Sequence, residues 1–180
     1  MASPGPRRSA VTARLSLTAT AVTDADALFP LMSDPQGWWF EPESRHVTIS
    51  QTIEWLERSE RRWSRGELSY WVARERVGGA LIGTGGAQRR QAGFWNVSWR
   101  IAGSQQGNGY ATELAGAAVS AASEQDPRLP IIAWIVPTNA PSIRVAEKVG
   151  LLNRGSQIDP TDGLFRLAFT DRPWPAKPPH

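Results

Sequence analysis

Apolar and polar positions alternate along residues 94–101, and then the rhythm changes. Trp95, Val97, Trp99 and Ile101 fall on one side of this stretch, and Phe94, Asn96, Ser98 and Arg100 on the other. That is the two-residue period of a strand. Farther on, Ala111, Leu114, Ala115, Ala118, Val119 and Ala122 recur at three and four, the stripe of a helix with one buried face, which should end near Ser123. The same reading assigns the rest. Leu15 to Val22, rich in threonine, reads as a strand. Thr23-Asp24-Ala25-Asp26 opens a helix through Met32, closed by Asp34-Pro35-Gln36-Gly37. A charged helix over Ser50 to Arg65 buries an edge of Ile53, Leu56 and Trp63, and Gly66 ends it. Tyr70 to Arg76 and Ala80 to Ala87 are strands around a Gly78-Gly79 turn. Gly83, Gly85 and Gly86 in the second of them point to a bulge or a close backbone approach. Ile131 to Val136 is a short buried strand. Asn139 caps a helix that has Pro141 in its first turn and Gly150 behind it. Leu151 to Ile158 and Leu164 to Thr170 are strands around an Asp159–Gly163 turn.

This order of elements predicts one α/β (α+β) domain over residues 14–170, with a mixed, mainly antiparallel sheet flanked by helices. Residues 1–13 are polar, carry Pro4, Gly5 and Pro6, and are expected to be disordered; residues 171–180 are expected to form a loose Pro-rich tail.

The strand at 94–101 and the helix after it are joined by Gln106-Gly107-Asn108-Gly109-Tyr110-Ala111-Thr112. Glycines let the chain turn tightly and let a ligand come close to the backbone. The successive N–H groups and the positive end of the helix dipole then suit a phosphate or pyrophosphate. A plain strand-to-helix turn would use the same glycines. A P-loop is excluded, because no Gly-Lys-Ser/Thr follows. A Rossmann fingerprint is excluded too: Thr112 takes the place of its third glycine, and no acid follows the strand at 131–136.

Composition narrows the chemistry. The chain is 41% hydrophobic and 21% charged, as in a water-soluble globular domain. There is no cysteine, so disulfides, thiolate metal sites and a cysteine nucleophile are excluded; His46 and His180 are too few for a histidine metal cluster. No metal is expected. The net charge is +3, and the densest basic group, Arg58, Arg61, Arg62 and Arg65, alternates with Glu54, Glu57 and Glu60 at helical spacing. This is a solvated helix face before it is a nucleic-acid site. The absence of a long apolar run points to a cytoplasmic protein without membrane contact.

Two motifs together resemble a known family. Gln106-x-x-Gly109-x-Ala111 is similar to the Gln/Arg-x-x-Gly-x-Gly/Ala signature of the GNAT N-acetyltransferase superfamily. Gly107-x-Gly109-Tyr110-Ala111-Thr112-Glu113 looks like the version in the branch that acetylates ribosomal-protein N-termini. Asn139-Ala140-Pro141-Ser142 with Glu147-Lys148-x-Gly150 resembles a second block of that family, at the expected separation. The resemblance implies acetyl-CoA as cosubstrate, with its pyrophosphate on the amides of Gln106 to Thr112. Its pantetheine would lie along the backbone of Trp99, Arg100 and Ile101, between strands splayed apart, near Asn139 and Ser142. It implies direct attack by an amine of a small molecule or a peptide, with Ser142 as donor to the leaving thiolate. The enzyme would be a monomer or a homodimer.

The base is less determined. Relatives often carry a carboxylate where Asn96 stands here, and no Asp or Glu occurs between Glu75 and Glu113. Glu41, Glu43 or His46 could reach in from the aromatic stretch Trp38 to Thr48; alternatively, Asn96 or Ser98 could order a water. An α-amino group, with a pKa near ~8 against ~10.4 for lysine, would need the least help. Trp38 and Trp39 are candidate walls of an acceptor pocket, while Trp71, Trp95, Trp99 and Trp134 read as core. Glu113, in the first turn of its helix, is expected to be structural. Two other readings stay open: a catalytically inactive acyl-CoA-binding sensor, and a GNAT enzyme with another acyl donor such as succinyl-CoA.

Overall fold

The computed structural model describes residues 7–174. Eight strands form one sheet in the order β1-β2-β3-β4-β5-β6-β8-β7. They are β1 (Ser9–Val11), β2 (Leu15–Ala19), β3 (Tyr70–Glu75), β4 (Leu81–Arg90), β5 (Phe94–Ile101), β6 (Ile131–Ile135), β7 (Leu152–Ile158) and β8 (Phe165–Thr170). Four helices accompany them: α1 (Ala25–Ser33), α2 (Ile49–Ser64), α3 (Tyr110–Gln125) and α4 (Ala140–Lys148). Every neighbouring pair is antiparallel except β5 and β6. The expected architecture is therefore present, and α3 and β4 run a little longer than the local pattern indicates.

The two faces of β5 settle the layers. Trp95, Val97 and Ile101 join Leu114, Ala118 and Ala122 of α3 in the main core. A second, smaller core puts Leu28 and Leu31 of α1 and Leu56 of α2 over Val72 of β3, on the opposite face. Thr52 and Ser59 of α2 are fully buried as well; Ser59 sits in a hydroxyl chain from Thr20 to Ser69 that satisfies all three groups.

The parallel pair is the feature that matters most for function. Only Trp95 faces Ile131 and Asn96 faces Ile132, after which β5 and β6 diverge. The strands are splayed, as the resemblance implied. On the other side β5 is held over its full length by β4, and there the glycines explain themselves. A Cβ on Gly83 would lie 2.0 Å from the Arg100 carbonyl oxygen, and one on Gly86 2.3 Å from that of Ser69. Close backbone approach is thus the reason for them.

Part of the segment expected to be disordered is ordered. Ser9–Val11 pair with Ser16–Thr18, the Arg7 carbonyl accepts from Trp71 Nε1 at 3.1 Å, and Arg8 donates to the Trp63 carbonyl. Ser16–Thr18 are close in sequence, but Trp63 and Trp71 lie 55 and 64 residues from their partners, and no local pattern announces those contacts. Residues 1–6 and 175–180, the outer parts of the expected disordered segment and tail, lie outside the described residues. Within the tail, Trp174 stacks edge-on against Phe94 at 5.1 Å.

Candidate active site

The junction between β5 and α3 has the expected form. A single-turn 3-10 helix (Gly103–Gln105) leads into it. Gly107 and Gly109 both have φ of +81°, and Gly109 is the N-cap of α3. That left-handed conformation is open to glycine and strained for other residues. The first-turn amides of α3 open into a cleft of about 400 Å³ that runs up the fork between β5 and β6. Trp99, Arg100, Ile101, Gln106, Gly107, Gly109, Tyr110, Ala111 and Thr112, all sequence candidates, line it. Asn108 does not: its amide turns back to the Gln105 carbonyl, and its own carbonyl accepts from Arg14.

Across the fork, Asn139 and Ser142 come from the start of α4. Asn139 is buried, and its Oδ1 accepts from the Ser142 N–H at 3.2 Å, so it caps the helix as expected. Arg144 and Lys148 of α4 also line the cleft. Their four-residue spacing on a helix beside the glycine loop is a signal the sequence carried and the motif reading passed over.

A second cleft of about 230 Å³ meets the first at Phe40, Trp99, Arg100, Asn139 and Ser142. Its floor is Asn96 and Ser98 of β5 and Trp134 of β6. Trp99 and Trp134 were expected in the core. Instead each is half-buried and lines a cleft, because β6 has moved away from β5 at their level.

The acceptor-side candidates separate. Trp39 is exposed and lines the first cleft. Trp38 lines neither; it is buried, and its Nε1 donates to the Met32 carbonyl at 2.7 Å. Its ring carries the Arg100 guanidinium, 3.3 Å above the centroid. Arg100 also donates to the Gly37 carbonyl at 2.6 Å. Burial pushes the Arg100 pKa down to about 10, while Glu41 and Asp34 pull the other way.

Among the candidate bases, only Glu41 reaches a cleft. It pairs with Arg166 of β8, which also holds Asp159 and Asp162 at the β7–β8 turn. Glu43 is exposed. His46 stands apart, 2.9 Å from the Thr52 hydroxyl; burial, then Arg58 and Arg100, lower its pKa. This cluster of Glu41, Asp159, Asp162 and Arg166 was missed in the sequence, since its members are spread over three segments.

Glu113 has the expected structural part. It accepts from the Thr12 hydroxyl, the Arg14 N–H at 2.7 Å and the Arg14 guanidinium at 2.8 Å. Burial raises its pKa, and these bonds outweigh burial and hold it below the usual value. Among the described residues, no group of three or more His, Cys, Asp or Glu could hold a metal ion, and no helix is long and apolar enough to cross a membrane.

The helix N-terminus thus stands at a fork in the sheet, where two clefts join. Comparison with known proteins gives the family. Residues 14–152 match the family model described as the acetyltransferase (GNAT) domain. YkkB of Bacillus subtilis is 30% identical over 145 residues, 78% of this chain and 83% of YkkB. The chain belongs to the GNAT acetyltransferase family and is an acetyl-CoA-dependent acetyltransferase. Among solved structures, a Bordetella pertussis protein described as a GnaT-family acetyltransferase superposes with a TM-score of 0.75 at 25% identity, over 92% of this chain and 100% of its own. RimL, a ribosomal L7/L12 α-N-protein acetyltransferase in complex with coenzyme A, gives 0.71 at 14% identity, over 89% of this chain and 95% of RimL. The aminoglycoside acetyltransferase AAC(6')-Ib with coenzyme A gives 0.68 at 19%, over 87% of this chain and 93% of that one. The last two bear on the fold.

Proposed function

We propose that the chain moves the acetyl group of acetyl-CoA to a primary amine in one direct attack, with the donor in the larger cleft and the amine in the smaller. The observation that carries this reading is the meeting of the two clefts at Trp99, Arg100, Asn139 and Ser142.

The pyrophosphate rests on the amides between Gln106 and Thr112, where the α3 dipole favours it. Arg144 and Lys148 add positive charge on the facing helix. The pantetheine amides take up main-chain groups of Trp99, Arg100 and Ile101 that β6 leaves free. The thioester carbonyl accepts a hydrogen bond from backbone near Ile101. The neutral amine comes over Asn96 and Ser98 and attacks the thioester carbon. A C–N bond forms and the C–S bond breaks. The amine's proton passes to water ordered by Asn96 and Ser98 and on to Glu41, whose Oε1 is engaged by Arg166 and whose Oε2 remains for that water. The departing thiolate accepts a hydrogen bond from the Ser142 hydroxyl and is protonated through it, the serine recovering a proton from solvent in the same relay. The acceptor is an α-amino group of a peptide or a small molecule, because an amine of pKa near ~8 is partly neutral at pH 7 without a strong base.

Thermal unfolding with and without acetyl-CoA tests the donor site. A ligand at a hundred times its dissociation constant stabilises by about 2.7 kcal/mol, several degrees for a domain of this size. Gly109→Trp should abolish the shift. No shift in the wild type at millimolar acetyl-CoA would overturn the donor placement. Turnover of a lysine side chain as fast as an α-amine would overturn the acceptor assignment.

A further inference from the structure

A third cavity, a groove of about 920 Å³, lies at the other end of β5 from the donor loop. It is lined by Arg58, Arg61, Arg62 and Arg65 of α2, by Arg89 and Arg90 of β4, and by Arg128 from the connection between α3 and β6. Among the described residues that line it, the acids are Glu67 and Asp126. Seven arginines against two acids give the groove +5, whereas the whole chain carries +3. The net positive charge of the protein is gathered here, and the remainder is net negative. The C-terminal ends of α2 and α3 also reach this groove, and such ends attract cations. Two of them supply roughly one negative charge in all, far short of five.

In the sequence the arginines of α2 alternate with glutamates, as on a solvated face. The structure draws the two apart. Glu57 pairs with Arg61 at 3.6 Å, but Glu60 turns back to the Val22 N–H at 3.4 Å. Arg62 is held by Glu67, and Arg128 by Asp126. Arg58, Arg65 and Arg89 are exposed, and among the described residues their guanidinium groups have no hydrogen-bond or ion-pair partner. Arg58 and Arg65 lie two helical turns apart, roughly 10 Å, or about three steps along a nucleic-acid strand.

The partner must be anionic, and the groove's other residues narrow its class. A protein partner is held by apolar and aromatic anchors at the centre of its contact. Here the large apolar residues, Leu68 and Trp95, are 1% and 3% exposed and offer no such hold. A phosphodiester backbone needs only a row of cations, and guanidinium forks suit its oxygens. We propose that this groove binds the phosphate backbone of a nucleic acid, independent of base sequence. Arg89 faces Trp95 near the start of β5, and the donor loop follows Ile101, six residues farther on, roughly 20 Å away. A strand in the groove therefore leaves the donor cleft open, and the acetyltransferase can work while seated on RNA or DNA.

Fluorescence anisotropy on the full chain tests it, with a short RNA duplex, a DNA duplex and a single-stranded RNA of equal length as labelled probes. At least one should bind, with an affinity that falls between about 50 and 200 mM salt on a log–log slope of about −3, one unit for each free arginine. Arg58→Gln, Arg65→Gln and Arg89→Gln combined should weaken binding about tenfold or more and flatten that slope. All three side chains are exposed, so the variant should keep the wild-type unfolding midpoint. Arg74→Gln, Arg76→Gln and Arg154→Gln combined remove the same charge outside the groove and should leave affinity within about twofold. Binding of the RNA probes alone assigns RNA, and of the DNA duplex alone DNA; comparable binding of all three assigns the backbone common to them. No binding of any probe at about 50 mM salt overturns the proposal, as does an equal loss in the two triple variants. Polyglutamate that displaces the probes at equal charge would point to an acidic protein and overturn it as well.

Discussion

Arg100 of β5 lies flat on Trp38, its guanidinium carbon 3.3 Å from the centre of the ring, at the point where the two clefts meet. The tryptophan is a platform. It holds a cation that the Gly37 carbonyl also anchors. Trp38→Ala should therefore act twice. Loss of a buried indole costs about 3–5 kcal/mol of stability, and the freed Arg100 should raise KM for both substrates. Trp38→Phe keeps a stacking surface and should retain most of the activity. Urea unfolding beside steady-state kinetics separates the two effects.

Gly83 has no room for a methyl group, since its Cβ would stand 2.0 Å from the Arg100 carbonyl oxygen. Gly83→Ala must push β5 outward, at a cost of about 1–3 kcal/mol or more, and it should lower activity because the backbone proposed to bind the donor moves with it. Gly116→Ala is the contrast. A Cβ there meets nothing within 4 Å on α3, and the change should stabilise by about 0.5–1 kcal/mol.

Glu113 fastens the segment before β2 to the first turn of α3. Glu113→Gln should cost about 1–3 kcal/mol and speed hydrogen exchange at Ser9–Val11, with little change in kcat. Its pKa is held down in the folded state, so its contribution is full above the ordinary carboxylate range and is lost as pH falls through the lowered folded value. The wild type should lose this part of its stability in acid, and Glu113→Gln should not.

His46 titrates in a different window. Burial first, and then Arg58 and Arg100, keep its folded pKa below the ordinary 6.5. The unfolded chain takes up a proton from about pH 6.5 downward while the folded chain resists it. Stability should therefore fall as pH drops below about 6.5, and His46→Gln should flatten the curve there. Unfolding midpoints between about pH 7.5 and 5.5 would show the difference.

What the sequence displayed was whatever obeys a local rule. The period of Phe94–Ile101, the stripe of α3 and the hinge at Gly109 each belong to a few consecutive residues, and each appears in the structure. Asn139 as a cap was legible for the same reason. The acceptor side was not. Glu41 and Arg166 stand 125 residues apart, and nothing near either one foretells the pair. Trp134 has the alternation of a core strand, yet it faces a cavity because β6 turns away from β5. That divergence is a tertiary event, and no periodicity records it. The segment around Ser9–Val11 looked unstructured because the residues that fasten its flanks, Trp63, Trp71 and Glu113, are far away in sequence.

The two-rung contact between β5 and β6 has one more consequence. A sheet that parts in mid-width acquires a pair of inner borders, each with unpaired main-chain groups. On the outside of a protein such a border invites strands of other molecules and, with them, fibrils. Here the gap opens into clefts lined by α3, α4 and the Gln36–Glu41 segment, so its borders lie inside the fold and not along an outer edge. A slender, flexible molecule with a few amides of its own can slip in. The chain keeps the stickiness of an open sheet while restricting by shape alone who can use it.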